Sequence, residues 1–306
     1  MNDRQCFGGN QSLSLTEELK SFKDVSYVSF TNEERCSVAA AAFDKYVEAL
    51  CPQMNAIGEE VSNHILMVEA DLSSNDGKPY DDSICQKIYQ LCSDSSVKTS
   101  SGNDCVDPML KLYTGCPLLV NSNNYLDQNV GRGTLCYLQK INLKSETNQR
   151  GPQLRIYNGR KISSIKASDI ESISLTKVKN PKIGDKIVVI KPVNKTVDIT
   201  VKGADLSLPL LKQKILQLDV LSGTACTGHR LQGQTKEALI VVGWTYKVQN
   251  WIYVVLSRVT TMRGIFFMEP IDVGKLKPPS QNLLRHEEEM HEKERKQNIL
   301  YSNLNE

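Results

Sequence analysis

Apolar and small polar residues alternate from Val25 to Phe30, the two-residue period of a short strand. Thr31-Asn32-Glu33-Glu34 follows, and a hydroxyl residue with a glutamate three positions on is the capping box that opens a helix. Ala39, Phe43, Tyr46 and Leu50 then recur at helical spacing, and Cys51-Pro52 predicts the end of that helix. Strand, polar turn and helix in this order form the repeating unit of α/β domains. His64–Ala70 reads as a buried strand, with His64 packed in its apolar run, and Asp81–Cys92 as a helix with Ile84, Ile88 and Leu91 on one face. Asp71–Pro79 and Ser93–Asp107 are rich in Ser, Asn, Asp and Gly and read as loops.

The texture changes at Pro117. Short apolar runs (PLLV, GTLCYLQKI, QLRIY, DIESISL, KIVVI, TVDITV) extend to Val201, with turn signals at Asn158-Gly159 and Lys202-Gly203. Short strands at this spacing predict a small β-barrel. Strand signals resume at Leu216 and at Ala238–Val242, a helical segment lies near Val248–Leu256, and a charged helix starts near Gln281. The first twenty residues are polar and are expected to be poorly ordered.

The 306 residues, 40% apolar and 24% charged, have the mix of a soluble globular chain of about two domains. No apolar run approaches the ~20 residues that span a bilayer, so no membrane partner is expected. The charged N-terminus carries no signal-peptide pattern. Nine irregularly spaced cysteines without a C-x-x-C pair point to neither a disulfide framework nor a zinc ribbon, and a reducing compartment, cytoplasm or nucleus, fits best.

The net charge of +2 conceals a segregation. Residues 1–150 carry −7, residues 151–214 carry +8 and residues 215–306 carry +1. A basic block in a near-neutral chain is the footprint of polyanion binding, and equally the mark of a lysine-rich solvated surface.

The phosphate loop G-x-x-x-x-G-K-[ST] is absent, as is an apolar strand closed by an Asp-Glu pair. The chain is therefore expected to hold no metal and to bind no nucleotide alone by that route. His286-Glu287 to His291 looks at first like a zincin helix, but the histidines are five positions apart rather than four, about 140° apart around the helix rather than on one face. A solvated helix face is the better reading. More informative is Thr227-Gly228-His229-Arg230-Leu231-Gln232-Gly233-Gln234-Thr235, a polar turn after a strand, followed by Tyr253-Val254-Val255-Leu256-Ser257-Arg258-Val259. Such a turn offers backbone N–H groups to a phosphate, and an arginine on an apolar helix needs an anionic partner. Taken singly, each feature also fits a satisfied turn and a structural ion pair.

In this order the two blocks resemble motifs V and VI of superfamily 1 DNA helicases of the RecD-like, 5′-to-3′ branch, which includes the petite-integration-frequency and Helitron helicases. Gln217, Leu218, Ala225, Thr227, His229, Gln232, Gly233, Gln234 and Thr235 match the first block, and Tyr253–Val259 the second. Phe30–Arg35 resembles motif IV, and Tyr113–Val120 with Gly131-x-Gly133-Thr134 resembles two further family strands. The chain departs from the family pattern at Asp219 (usually proline), Arg230-Leu231 (usually Lys-Ser) and Arg132 (usually Asn).

The resemblance covers roughly residues 25–270. It implies an α/β fold, with a RecA-like second motor domain without a P-loop (25–120 and 215–275) interrupted by a basic SH3-like β-barrel (121–214). Residues 1–24 would be a disordered N-terminus and 276–306 a charged helical tail. Arg258 would be the arginine that reaches the ATP γ-phosphate. His229, Gln232, Gly233, Gln234 and Thr235 would couple nucleotide to nucleic acid, and Thr31 and Asn32 would lie at the strand-contacting edge. Charge alone adds Lys161, Lys166, Lys177 and Lys179 as phosphate contacts in the barrel. The partners implied are single-stranded DNA or RNA and an N-terminal motor half in cis or trans, with ATP and Mg²⁺ bound only when that half is present. The alternative is a non-catalytic nucleic-acid-binding remnant of a helicase.

Overall fold

The computed structural model describes residues 19, 21–22, 25–57, 65–92, 97–100, 105–145, 147, 152–157, 160–199, 213–231, 234–245, 247–248, 251–270, 272–275 and 281–303. The fold is mixed α/β, and it is organised by a parallel sheet assembled from distant parts of the chain. Val25–Ser29 lies between Ala225–Thr227 and Ala238–Val241, and Ile265–Phe267 pairs with the far side of Ala238–Val241, all parallel. Ala238–Val241 and Ile265–Phe267 read as continuous apolar runs because both faces are covered, whereas Val25–Ser29 alternates with small serines. On one face Val28, Cys226, Leu239, Val241, Ile265 and Phe267 pack with Trp251 and Val255. On the other, Val25, Tyr27, Ile240 and Phe266 meet Leu19 and Phe22.

Helix α1 (Asn32–Ile57) opens where the sequence predicts. The Thr31 hydroxyl accepts from Glu34 N–H at 3.1 Å, while the Glu34 carboxylate accepts from Thr31 N–H at 3.1 Å and Phe30 N–H at 2.9 Å. The helix does not stop at Cys51-Pro52 but runs through to Ile57. Proline forfeits its own N–H bond and crowds the carbonyl four residues back, which disfavours but does not forbid a helix that continues through it. Phe43 and Val47 pack on Ile65, Met67 and Ile162 of a second sheet. Helix α2 (Asp82–Cys92) buries Cys85, Ile88 and Tyr89.

The strand pairing does not divide at residue 120. Ile65–Glu69 sits between Met109–Tyr113 and Arg160–Lys166, with Gln153–Tyr157 at the edge. A five-stranded antiparallel sheet runs in the order Ile187–Ile190, Ile170–Thr176, Leu135–Leu143, Pro117–Val120, Val220–Ser222. Leu66, Leu110 and Ile165 from the first share a single core with Leu118, Leu138 and Ile173 from the second. The β-rich unit thus draws on strands on both sides of residue 120. Among the described residues its strands form separate sheets rather than a closed barrel.

Two expected loops contain strands: Asp71–Ser73 pairs with Gln213–Leu218, and Val97–Lys98 pairs with Cys105–Val106. Polar side chains hid them, since an edge strand keeps its outer positions wet. Helix α3 (Trp251–Leu256) follows the third parallel strand, and helix α4 (Gln281–Asn303) is exposed along its described side chains, His286 and His291 included. Among the described residues no helix is long and apolar enough to cross a membrane. His64, Asn158-Gly159, Lys202-Gly203 and most of the N-terminal segment lie outside the described residues.

Six described cysteines are buried as free thiols. Burial pushes the Cys116 thiol up to about 12 and the Cys136 thiol up to about 11. Both stay protonated through neutral pH, and the thiolate is the nucleophile. Iodoacetamide at pH 8 should therefore leave Cys116 and Cys136 unmodified in the native protein and label them after denaturation, as read by peptide mass spectrometry.

Candidate functional site

Because the four organising strands are parallel, their C-terminal ends share one edge, where open α/β sheets bind ligands. At that edge lie the turn after Ser29, the turn after Thr227 and the segment leading to α3. An aromatic series braces it. Phe30 meets Trp251 edge-on (centroids 5.8 Å, 88°), Trp251 meets Trp244 (5.9 Å, 81°), and Trp244 tilts over Phe267 (5.0 Å, 38°). Edge-to-face contacts of this kind add to the area they bury.

The turn Gly228–Leu231 is a short 3₁₀ segment pressed against α3. A Cβ at Gly228 would fall 2.5 Å from Trp251 Nε1 and 3.2 Å from Val255 Cγ2. Glycine is thus required by the approach of the turn to the helix. Gly228→Ala should cost about 1–3 kcal/mol through overpacking, measurable as a lower denaturant midpoint.

His229 stands exposed on this turn, as does Thr235 beyond it. Gln234 serves the turn itself: its N–H donates to Leu231 O at 2.9 Å and its side-chain amide donates to Arg230 O at 2.9 Å. Gln232 and Gly233 lie outside the described residues. Beyond the turn, Lys236 N–H donates to Arg258 O at 2.7 Å and Thr260 N–H to Lys236 O at 3.3 Å. The end of the first motif-like block is therefore stitched to the arginine of the second.

Arg258 is half-buried at the C-terminal end of α3. Its Nε donates to Val254 O at 3.1 Å and its Nη2 to Ser257 Oγ at 2.9 Å. Among the described residues no carboxylate pairs with it. A guanidinium oriented by two neutral acceptors has further N–H groups to offer an outside anion. This donor set fits one edge of a phosphate.

The residues after Ser29 have other duties. The Thr31 hydroxyl caps α1. Asn32 accepts from Arg35 Nε at 3.4 Å, and its amide approaches Cys105 Sγ at 3.4 Å. Arg35, 1% exposed, pairs with Asp107 at 3.2 Å. Burial works against the Arg35 charge, but Asp107 together with the neighbouring Cys36 and Cys105 outweighs it and holds the pKa above its ordinary value. Sequence reasoning assigned Arg35 no role, although it closes the Thr-Asn-Glu-Glu-Arg run.

The lysines chosen on charge separate. Lys161 and Lys166 lie on Arg160–Lys166 in the four-stranded sheet. Lys166 pairs with Asp82 at 3.2 Å, and the Lys161 side chain is outside the described residues. Lys177 and Lys179 stand exposed beyond Thr176, with Lys177 donating to Asn129 O at 2.6 Å.

Two of the departures from the family pattern, Asp219 and Arg230, fall in a single network. Asp219, fully buried, accepts from Lys195 Nζ at 2.6 Å and from the Ser122 hydroxyl. Asp219 O accepts from Asn121 N–H at 3.0 Å, and Asn121 Oδ1 accepts from Arg230 Nη2 at 3.2 Å. A buried ion pair in the β-rich unit is thereby joined to the turn at the sheet edge.

No protein-family model and no curated protein sequence matches the chain. Among solved structures it is similar to a Bacteroides Pif1 helicase bound to single-stranded DNA (16% identity, 94% of this chain, 51% of that one, TM-score 0.46). It is likewise similar to Pif1 helicase from Candida albicans (15%, 87% and 49%, 0.47). A third likeness is to a Pif1 helicase from a study of two coordinating copies unwinding forked duplex DNA (15%, 94% and 49%, 0.45). The chain spans about half the length of these helicases.

Proposed function

We propose that the chain is the second motor half of an ATP-dependent 5′-to-3′ DNA helicase. It supplies the γ-phosphate arginine, Arg258, and part of the single-strand track, and the β-rich unit takes the place of the SH3-like insertion. The observation that carries this reading is the state of Arg258. Its main chain is bonded to Lys236, next to Thr235 and ahead of Ala238–Val241 at the N-terminal end of that parallel strand, and its guanidinium is held by neutral acceptors with no carboxylate among the described residues. ATP bound on a first motor half supplies the phosphoryl group to be transferred. This chain's part is to place a planar cation at its edge and to couple that placement to nucleic acid through the Gly228–Thr235 turn.

The isolated chain should bind single-stranded DNA with an affinity that falls steeply with salt, and should release no phosphate from ATP. Fluorescence anisotropy across a salt series and a phosphate-release assay test both. Turnover by the chain alone, abolished by Arg258→Ala, would refute the half-motor reading.

A further inference from the structure

The hairpin between Thr176 and Ile187 concentrates a surface that the site above does not use. Ten residues, Lys177 to Lys186, connect strands whose last register pair is Thr176 with Ile187. The hairpin carries Lys177, Lys179, Lys182 and Lys186 against a single Asp185. The ammonium groups of Lys179, Lys182 and Lys186 have no protein partner among the described residues. At the tip Ile183 is fully exposed, beside the exposed Pro181.

The tip is built, not loose. Asp185 N–H donates to Lys182 O at 3.1 Å, and the Asp185 carboxylate accepts from Lys182 N–H at 2.6 Å. Gly184 supplies φ +102°, which closes this four-residue turn and leaves Ile183 at its outer corner. At the base, Thr176 Oγ1 donates to Val178 O at 2.7 Å. The edge of the sheet is not offered for strand addition, because the Gln128 amide pairs both main-chain groups of Val189, at 2.8 and 3.3 Å. The hairpin therefore presents a rigid apolar point with cations on its shoulders. Charge selects a polyanion as occupant, and an apolar point among cations matches a base face beside phosphates, the arrangement in which Ile and Pro wedges meet nucleic acid.

We propose that the Lys177–Lys186 hairpin grips a single-strand–duplex junction, with Lys179, Lys182 and Lys186 on backbone phosphates and Ile183 against the face of the terminal base pair. This rests on the reading of the chain as a nucleic-acid motor half, but its test uses binding alone and leaves Arg258 untouched.

The test compares the full chain with three variants on two fluorescent DNAs: a single strand, and a tailed duplex with 2-aminopurine at its first base pair. The triple variant Lys179→Gln, Lys182→Gln, Lys186→Gln should weaken both DNAs and reduce the salt slope by about 2 to 3. Ile183→Ser should leave single-strand affinity and the salt slope unchanged. It should lower junction affinity about fivefold, as expected for one half-covered aliphatic side chain, and abolish the 2-aminopurine response. Ile183→Leu should restore both. All four side chains under test are exposed, so the melting temperature should not move. An unchanged salt slope in the triple variant, or a wild-type junction response in Ile183→Ser, would overturn the proposal. An ATPase failure with intact junction binding would count against the motor reading alone.

Discussion

With an N-terminal motor half supplied, fused or in trans, Arg258→Ala is expected to lower DNA-stimulated ATP hydrolysis by about 10³–10⁵, the usual worth of an arginine at the transferred phosphoryl group. The planar guanidinium meets two phosphate oxygens at once and lysine cannot, so Arg258→Lys should not rescue turnover. Single-strand binding should largely survive, since the lysine-bearing surfaces are untouched. The thermal transition should survive too. Among the described residues the Arg258 side chain bonds only to Val254 O and Ser257 Oγ, so its removal strands no buried charge among them. Normal hydrolysis in a folded variant would refute the role. A collapsed transition would instead favour a structural arginine.

The largest effect on stability is expected at Asp219. Its carboxylate is fully buried against Lys195, itself 16% exposed. Asp219→Ala removes one partner and leaves the ammonium in a poor solvent, a change that typically costs about 3–5 kcal/mol. Replacing both, Asp219→Leu with Lys195→Met, should recover most of that loss, because the cost lies in the uncompensated charge rather than in the absent pair. Chemical denaturation of the three variants measures this. A single variant within about 0.5 kcal/mol of wild type would show that the pair is not buried in solution.

Asp219 also shows where sequence reasoning reaches its limit. Its replacement of proline was visible in the sequence, but its partner was not. Lys195 is one lysine among thirteen basic residues in the block 151–214, and only the pairing of Pro192–Val197 with Gln213–Leu218 brings it alongside. Local chemistry was far more legible. The Thr31–Glu34 capping box could be read from its spacing because both partners lie within one helical turn.

The parallel order was not legible in the same way. Tyr27 pairs with Ala225 on one side and Ile240 on the other, across about two hundred residues. Periodicity marks the strands and carries nothing about which will be neighbours. The expected boundary at residue 120 was implied by the resemblance, near the change in texture at Pro117, whereas pairing joins Pro117–Val120 to Leu135–Leu143 and Ile65–Glu69 to Arg160–Lys166.

At the site, residue types pointed to Arg258 and to the Gly228–Thr235 turn. They did not reveal that Gln234 is consumed in closing that turn, or that Thr31 and Asn32 are held by α1 and the Cys105 strand. Trp251 drew no notice as an apolar helix residue, yet it is the surface against which both Gly228 and Phe30 pack. A glycine after a strand and an aromatic at the start of an apolar helix were the available signals. Only their proximity gives them meaning.

The central claim is that this chain completes a nucleotide site it does not itself contain. The most direct measurement is single-strand-stimulated phosphate release by an N-terminal motor half alone, by this chain alone, and by the two fused. The account predicts background release from each part and DNA-dependent turnover only from the fusion, lost again on Arg258→Ala. Turnover by the N-terminal half that the fusion does not increase, or a fusion indifferent to Arg258, would contradict it.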